Sequence, residues 1–227
     1  MKKRSLFDEE LTNQEDLIKE IGYGEKLAKS KGYKIFVGID EAGRGPLAGP
    51  VVASAVYLNN YKIDGLNDSK KLTDKKRREL FPKIIENMIF GVGIVDEKII
   101  DKINILNATK KAMLLAVEDI QKKLDSKIEL LLIDGNQRIS SNISQIPIVK
   151  GDSLSYSIAA ASIIAKVTRD NIMAKYDTIY PRYNFKKHQG YPTKKHIEAI
   201  KKFGVLDIHR KTFKPIRGMV EKSLFSK

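Results

Sequence analysis

A mostly apolar run, Ile35 to Ile39, ends abruptly in two carboxylates, Asp40 and Glu41, followed by a turn with a glycine on each side of an arginine, Gly43-Arg44-Gly45-Pro46. Such a run reads as a short buried strand. Successive strand residues point to opposite faces, so Asp40 and Glu41 cannot both be ordinary solvated charges. Carboxylates at the end of a core strand are costly to bury unless something positive sits on them. A divalent cation is the simplest candidate. The flanking glycines let backbone approach an anionic ligand held by Arg44. The competing reading is a tight glycine turn that leaves an Asp-Glu pair on the surface. A nucleotide loop does not fit: Gly43 to Gly49 lacks the G-x-G-x-x-G spacing, Pro46 removes an N–H, and no G-x-x-x-x-G-K-[ST] occurs.

Charge bears on the choice. The 227 residues carry 42 Lys and Arg against 28 Asp and Glu, a net charge of +14. From Lys166 to Lys227 there are 16 Lys and Arg against 5 Asp and Glu, so 11 of the 14 excess charges lie in the last quarter of the chain. A basic lobe beside a carboxylate cluster suggests a polyanion lying across a metal site, although a lysine-rich solubilising surface gives the same count. With no cysteine, disulfides, thiolate metal sites and cysteine nucleophiles are excluded. Met1-Lys2-Lys3-Arg4 is followed by Asp8, Glu9 and Glu10 rather than an apolar segment, and no run approaches a membrane span. The expectation is a soluble cytoplasmic protein without membrane contact.

Residues 1–32 read as a helical N-terminal extension, with a capping box at Thr12-Asn13-Gln14-Glu15 and a stop at Gly22 and Gly24. Residues 33–227 read as the domain proper, including the basic C-terminal helices. Strands are expected at Tyr33 to Ile39, Val51 to Leu58, Ile89 to Val95, Ile128 to Ile133 and Ile146 to Val149. Helices are expected at Thr73 to Asn87, Ile105 to Leu124 and Leu154 to Tyr176, the last with a small-residue face, Ala159-Ala160-Ala161-Ser162. Three hairpin-like strands followed by β-α-β alternation make an α/β fold with a mixed sheet. The basic C-terminal part, with few long apolar runs, reads as short helices whose removal costs binding more than folding.

Asp134 ends the fourth strand as Asp40 ends the first, although Asp134-Gly135 is also a common turn pair. Asp152 stands just before the alanine-rich helix, where it could equally be an N-cap. All four carboxylates sit at the ends of elements, where open α/β sheets build their sites. Brought together they would repel and raise one another's pKa. Hard oxygen ligands select Mg²⁺ or Mn²⁺. Two such ions, about 3.5–4 Å apart, suit an in-line phosphodiester displacement.

These blocks resemble the ribonuclease HII family, the type 2 ribonucleases H. The likeness runs from about Lys34 to Ile216. It is carried by Gly38 to Ala53, by Asn67-Asp68-Ser69-Lys70-Lys71-Leu72, by Asp134-Gly135-Asn136, by Gly151-Asp152-Ser153 with Ile158 to Asp170, by Tyr180 to Tyr183, and by His188-Gln189-Gly190-Tyr191-Pro192-Thr193. Gln189 and Pro192 stand where the family more often has Lys and Gly. The resemblance implies a ribonuclease H-like fold, a mixed five-stranded sheet flanked by helices with a basic helical C-terminal part. It implies that Asp40, Glu41, Asp134 and Asp152 are the catalytic, metal-binding carboxylates. It also implies that Gly43, Arg44 and Gly45 track the ribonucleotide and that Tyr191 senses the RNA–DNA junction. The implied activity is hydrolysis of the RNA strand of RNA–DNA hybrids, and incision 5′ to single ribonucleotides in duplex DNA, leaving 3′-OH and 5′-phosphate ends.

Independently of the family, glycine-turn backbone groups are able to read a 2′-OH, the one backbone group that separates RNA from DNA. Tyr191 offers a ring for stacking, or is a partly buried core tyrosine. Lys70, Lys71, Lys166 and Arg169 are candidates for phosphate contacts. His188, His196 and His209, widely spaced and near Lys186 and Lys187, read as surface or phosphate-side groups. The expected partners are RNA–DNA hybrid and ribonucleotide-containing duplex DNA, with the protein a monomer. A DNA nuclease or strand-transfer enzyme on a related fold, or a basic binding protein with a vestigial site, are the rival classes.

Overall fold

The computed structural model describes residues 20–59, 65–66 and 72–225. The expected capping box at Thr12 to Glu15, and the Asn67 to Lys71 loop with Lys70 and Lys71, lie outside the described residues. Five strands form one sheet: β1 (Phe36–Ala42), β2 (Val51–Tyr57), β3 (Ile89–Val95), β4 (Leu130–Asp134) and β5 (Ser144–Ile148), in the order β3-β2-β1-β4-β5. The first three are joined antiparallel, whereas β4 pairs parallel with β1 and β5 parallel with β4. This is the mixed α/β sheet that the sequence led one to expect. Leu130 to Ile133 are wholly buried, an unbroken apolar run of the kind required where both faces of a strand are covered.

One face is covered by α3 (Glu97–Gln121), whose Ala108, Ala112, Ala116 and Ile120 join Val37, Ile39, Leu131 and Ile133 in a core cluster. The other face carries α2 (Asp74–Asn87) and α5 (Tyr156–Ile179), through Leu80, Ile84, Ala159, Ala160 and Ile163. Val37 and Ile39 face α3, so Gly38 faces α5. A Cβ on Gly38 would come within 2.3 Å of the Ser157 and Ile158 backbone. Only glycine admits the helix so close, and the contact fixes α5 two residues from Asp40 on the same face of β1.

Several boundaries differ from the sequence reading. β1 runs three residues further than expected, because Asp40, Glu41 and Ala42 pair with Ser54, Ala53 and Val52 of β2. Asp134 likewise lies inside β4, paired with Ile148. α3 starts at Glu97 rather than Ile105, capped by Asp96, and is interrupted at Asn104 (φ 66°, ψ 165°), whose side chain accepts from the Asn107 N–H to restart the helix. The helix expected from Leu154 to Tyr176 is two: a short α4 (Gly151–Leu154) and then α5, separated by extended Ser155, which caps Ile158.

Gly22 (φ 102°) begins a helix, α1 (Tyr23–Ser30), and Gly24 lies inside it rather than at a stop. This helix docks on the α4–α5 junction. The Glu25 carboxylate accepts hydrogen bonds from the hydroxyls of Ser155 and Ser157, both at 2.7 Å, and from the N–H groups of Ser157 (3.0 Å) and Tyr156 (3.2 Å). An anion at the start of a long helix also meets the positive end of its dipole.

The basic C-terminal part has a core of its own. It comprises a 3₁₀ turn (Pro181–Tyr183), α6 (Phe185–His188), α7 (Lys194–Phe203) and α8 (Ile216–Phe225). Tyr183, Phe185, Ile200, Ile208 and Ile216 pack with Met173 and with Leu47 and Ala48 of the β1–β2 connection. The segment whose removal was expected to cost binding more than folding therefore carries core as well: single apolar residues scattered over short helices pack on Leu47 and Ala48 beside the glycine turn.

Glu25→Ala should lower stability by about 2 kcal/mol, since a charged acceptor of several bonds at a helix start is lost. For a domain of this size that is a fall in Tm of roughly 4–8 °C. Glu25→Gln should lose less. An unaltered thermal melt for Glu25→Ala would show the clamp to be incidental.

Candidate active site

The parallel pairing of β1 and β4 aligns Ile39 with Ile133, which puts Asp40 and Asp134 side by side at the strand ends. Asp40 is buried. Burial, then the charges of Glu41 and Asp134, hold its pKa well above the ordinary carboxylate range, against hydrogen bonds from the Ser162 hydroxyl and the Glu41 N–H (2.7 Å). Glu41 is raised by burial and by Asp134, with the Arg44 guanidinium, 3.3 Å away, working against them. Asp134 accepts from the Gly151 N–H at 2.7 Å, which ties β4 to the first residue of α4. The next residue is Asp152, also buried. It stands inside α4, not at the cap of the long helix as the alternative reading had it.

Among the described residues no group of three or more His, Cys, Asp or Glu side chains is placed to hold a metal ion. The four acids nevertheless suit a hard cation. They offer oxygen donors alone, and Asp40 and Glu41 are raised by burial and by neighbouring acids, a cost that a divalent ion would remove.

Two buried arginines hold the β1–β2 connection from beneath. Arg169 of α5 donates to the carbonyls of Ala48 (3.1 Å), Pro50 (3.0 Å) and Gln189 (3.1 Å). Arg210 donates to Gly43 (2.6 Å), Arg44 (2.9 Å) and Gly49 (2.8 and 3.0 Å). Gly43 has φ 98°, and a Cβ there would come within 2.1 Å of the Arg169 Nε, so no other residue fits above that guanidinium. Neither arginine forms an ion pair among the described residues. Burial lowers their pKa values to about 10 and about 9, which leaves both charged at neutral pH.

The expected phosphate contact of Arg169 is thus corrected. A side chain 1% exposed, with all its nitrogens engaged by carbonyls, is a strut. The expected surface role of the histidines is corrected too: His196 is 0% and His209 1% exposed, His188 is also buried, and the three rings stack.

The remaining candidates meet at a cleft of about 380 Å³ lined by Glu41, Gly43, Arg44, Gly45, Arg77, Ser162, Lys166 and Tyr191. Tyr191 is 43% exposed, and its ring borders Gly45. Lys166 pairs with Asp170 at the cleft wall. Arg77, Ser162 and Arg210 were not singled out by sequence. Arg77 lay in a basic helix, Lys75 to Arg78, where nothing distinguishes one cation from the next, and Ser162 in a run read as packing.

The chain matches the family described as Ribonuclease HII over residues 37–216. It is 59% identical over 191 residues to a ribonuclease HII of Acetivibrio thermocellus, covering 83% of this chain and 73% of the relative. Among solved structures it is similar to a ribonuclease H2 from Pyrococcus horikoshii, with 28% identity and a TM-score of 0.66 over 82% of this chain and 97% of that one. A second is the ribonuclease HII in the PCNA:RNase HII complex from Archaeoglobus fulgidus, with 25% identity and a TM-score of 0.66 over 80% and 96%. The chain belongs to the ribonuclease HII family. It is accordingly a ribonuclease H, an endonuclease and hydrolase acting on RNA–DNA hybrids.

Two outcomes follow from the electrostatics. Arg210→Met should destabilise by about 3–5 kcal/mol and depress cleavage, because three buried carbonyls lose their donor; a variant as stable as the parent would remove the strut role. In metal-free protein, Asp40 and Glu41 bind protons more tightly folded than unfolded. Their stabilising contribution is full below the ordinary carboxylate range, about pH 4, and is lost as pH rises through the raised values. Asp134→Asn should flatten that decline, which thermal melts from pH 4 to 8 in EDTA would measure.

Proposed function

We propose that the protein cuts RNA–DNA hybrids by two-metal-ion catalysis and also incises 5′ to a single ribonucleotide in duplex DNA, leaving 3′-OH and 5′-phosphate ends. The observation that carries the reading is the register of β1 against β4, which sets Asp40 beside Asp134 with Glu41 next to the glycine turn. Asp40, Glu41, Asp134 and Asp152 would hold the ions, Mg²⁺ or Mn²⁺. Bound there, such ions supply activation of water and charge stabilisation at the leaving oxygen.

The chain's own groups do the rest. The Gly43-Arg44-Gly45 backbone, its carbonyls drawn inward by Arg210, presents its outer edge to a sugar. Tyr191 closes the far side of that edge and stacks on the sugar at the junction. Lys166 and Arg77, on the cleft wall, meet backbone phosphate, as Lys70 and Lys71 do in this reading. The catalytic unit spans residues 33–227, acts as a monomer in the cytoplasm, and has no membrane role; no described helix is long and apolar enough to cross one.

The test is a hybrid, a DNA duplex and a one-ribonucleotide duplex, each with Mg²⁺ or Mn²⁺ and with EDTA. Cleavage of the first and third only, dependent on metal and reduced to background by Asp134→Asn while hybrid binding persists, is the expected outcome. Comparable cutting of plain DNA would favour a general nuclease. Substantial cleavage by Asp134→Asn would remove Asp134 from the metal site.

A further inference from the structure

The three histidines form a directed hydrogen-bond chain whose ends are fixed by backbone. The Leu206 N–H donates to His209 Nδ1 (2.8 Å), so that nitrogen is bare and the proton of His209 sits on Nε2. His209 Nε2 faces His196 Nε2 at 3.2 Å, and only one of the two can carry a proton. It is His209 that donates, which leaves the proton of His196 on Nδ1, aimed at the Tyr191 carbonyl 2.9 Å away. The neighbouring His188 is settled in the same way: its Nδ1 accepts from the Gly190 N–H (3.2 Å), so its Nε2–H donates to the Tyr183 carbonyl (2.7 Å). Each assignment follows from a terminal group that can only donate or only accept.

What this chain holds is the loop that carries Tyr191. Every backbone polar group from Gln189 to Tyr191 is engaged inward. The Gln189 N–H donates to the Phe185 carbonyl (2.7 Å), and its own carbonyl accepts from Arg169. Gly190 gives its N–H to His188 and accepts from the Leu47 N–H (2.8 Å). The Tyr191 N–H donates to the His188 carbonyl (2.8 Å), and the Tyr191 carbonyl accepts from His196 and from the Thr193 N–H (2.8 Å). Only the ring is left to the cleft.

We propose that His209 and His196 are positioning residues for substrate discrimination: a neutral two-histidine relay, seated on the Leu206 N–H, that fixes the Tyr191 ring against the glycine turn and so sets the preference for a lone ribonucleotide. The proposal rests on the reading that Tyr191 stacks on the junction sugar. Neutrality is supported by the apolar setting. The rings lie against Phe185 and Tyr183, and burial lowers both His196 and His209 to about 4. A proton added to His196 Nε2 would face the His209 Nε2–H, donor against donor.

Two measurements decide it. The first is long-range ¹H–¹⁵N correlation of the histidine rings in the intact protein at neutral pH. His196 should be the Nδ1–H form, with His188 and His209 the Nε2–H form. A His196 in the Nε2–H form, or any ring protonated, would overturn the relay whatever the enzyme's activity.

The second is the ratio of kcat/KM on a one-ribonucleotide duplex to that on a long hybrid. Asn places an amide where Nδ1 stands, so His196→Asn should keep the ratio, while His196→Phe should lower it roughly three- to tenfold, the worth of one buried hydrogen bond. In a Tyr191→Ala background, His196→Phe should change the ratio no further. If His196→Phe fails to fold, His209→Phe, which keeps an aromatic ring in the stack but removes the donor to His196 together with the acceptor of the Leu206 N–H, takes its place with the same expected fall. A parental ratio in these variants, beside a Tyr191→Ala that does shift it, would make the stack packing alone. A Tyr191→Ala that does not shift it would overturn the role in discrimination through the reading of Tyr191, while the ring tautomers would still report whether the relay exists.

Discussion

The site depends on one strand pairing. β4 joins β1 in parallel, so two strands reach the same edge of the sheet with their last residues level, Ile39 opposite Ile133. An antiparallel neighbour would have sent Asp134 to the far end. Everything acidic in the site follows from that register: Asp134 beside Asp40, the Gly151 N–H on Asp134, and Asp152 one residue on. The helix that closes this face can approach because Gly38 has no side chain to exclude it.

Around the acids the chain has arranged charge of the opposite sign in two ways. Exposed or partly buried cations, Arg44, Arg77 and Lys166, line the cleft where a polyanion would lie. Arg169 and Arg210 are buried, and their hydrogen bonds go to carbonyls, with no carboxylate in ion-pair contact among the described residues. Burying such charges is expensive, and a sixfold demand for carbonyl oxygens is what makes it tolerable. The same demand turns the carbonyls of Gly43, Arg44, Ala48, Gly49, Pro50 and Gln189 inward and leaves the turn rigid. Two buried cations beneath the turn also give the site a positive field, softened by Asp170 near Arg169 and by Glu97 and Asp101 near Arg210.

Much of this was legible in the sequence, for local reasons. The apolar runs of β1 and β4 ended in acids, and β-α-β alternation implied the mixed sheet; both signals lie within a few residues. Strand ends were placed short because pairing to β2 carried Asp40 and Glu41 into the ladder, and no local pattern announces a partner. The break at Ser155, the early start of α3 and its interruption at Asn104 were hidden by hydroxyl, carboxylate and amide caps beside or inside helical stretches. Arg169, Arg210 and the three histidines were misjudged or passed over for a common reason. A polar residue is buried when distant backbone satisfies it, and the donors and acceptors here come from segments up to 167 residues apart in sequence. α1 was assigned no purpose, and it lies outside the stretch that matches the family, yet Glu25 caps the helix packed behind the acids.

The long reach of Arg210 has a consequence for the order of events at the ribosome. All four acids have been synthesised by residue 152, but the turn beside them acquires its last guanidinium only at residue 210, near the end of the chain. A nascent polypeptide therefore carries its acids well before the carbonyls of that turn have their donor. Closing so large a loop is slow beside local helix formation. The finished turn is thus a late acquisition of the fold, and a chain that stalls before residue 210 lacks the donor that draws the turn inward.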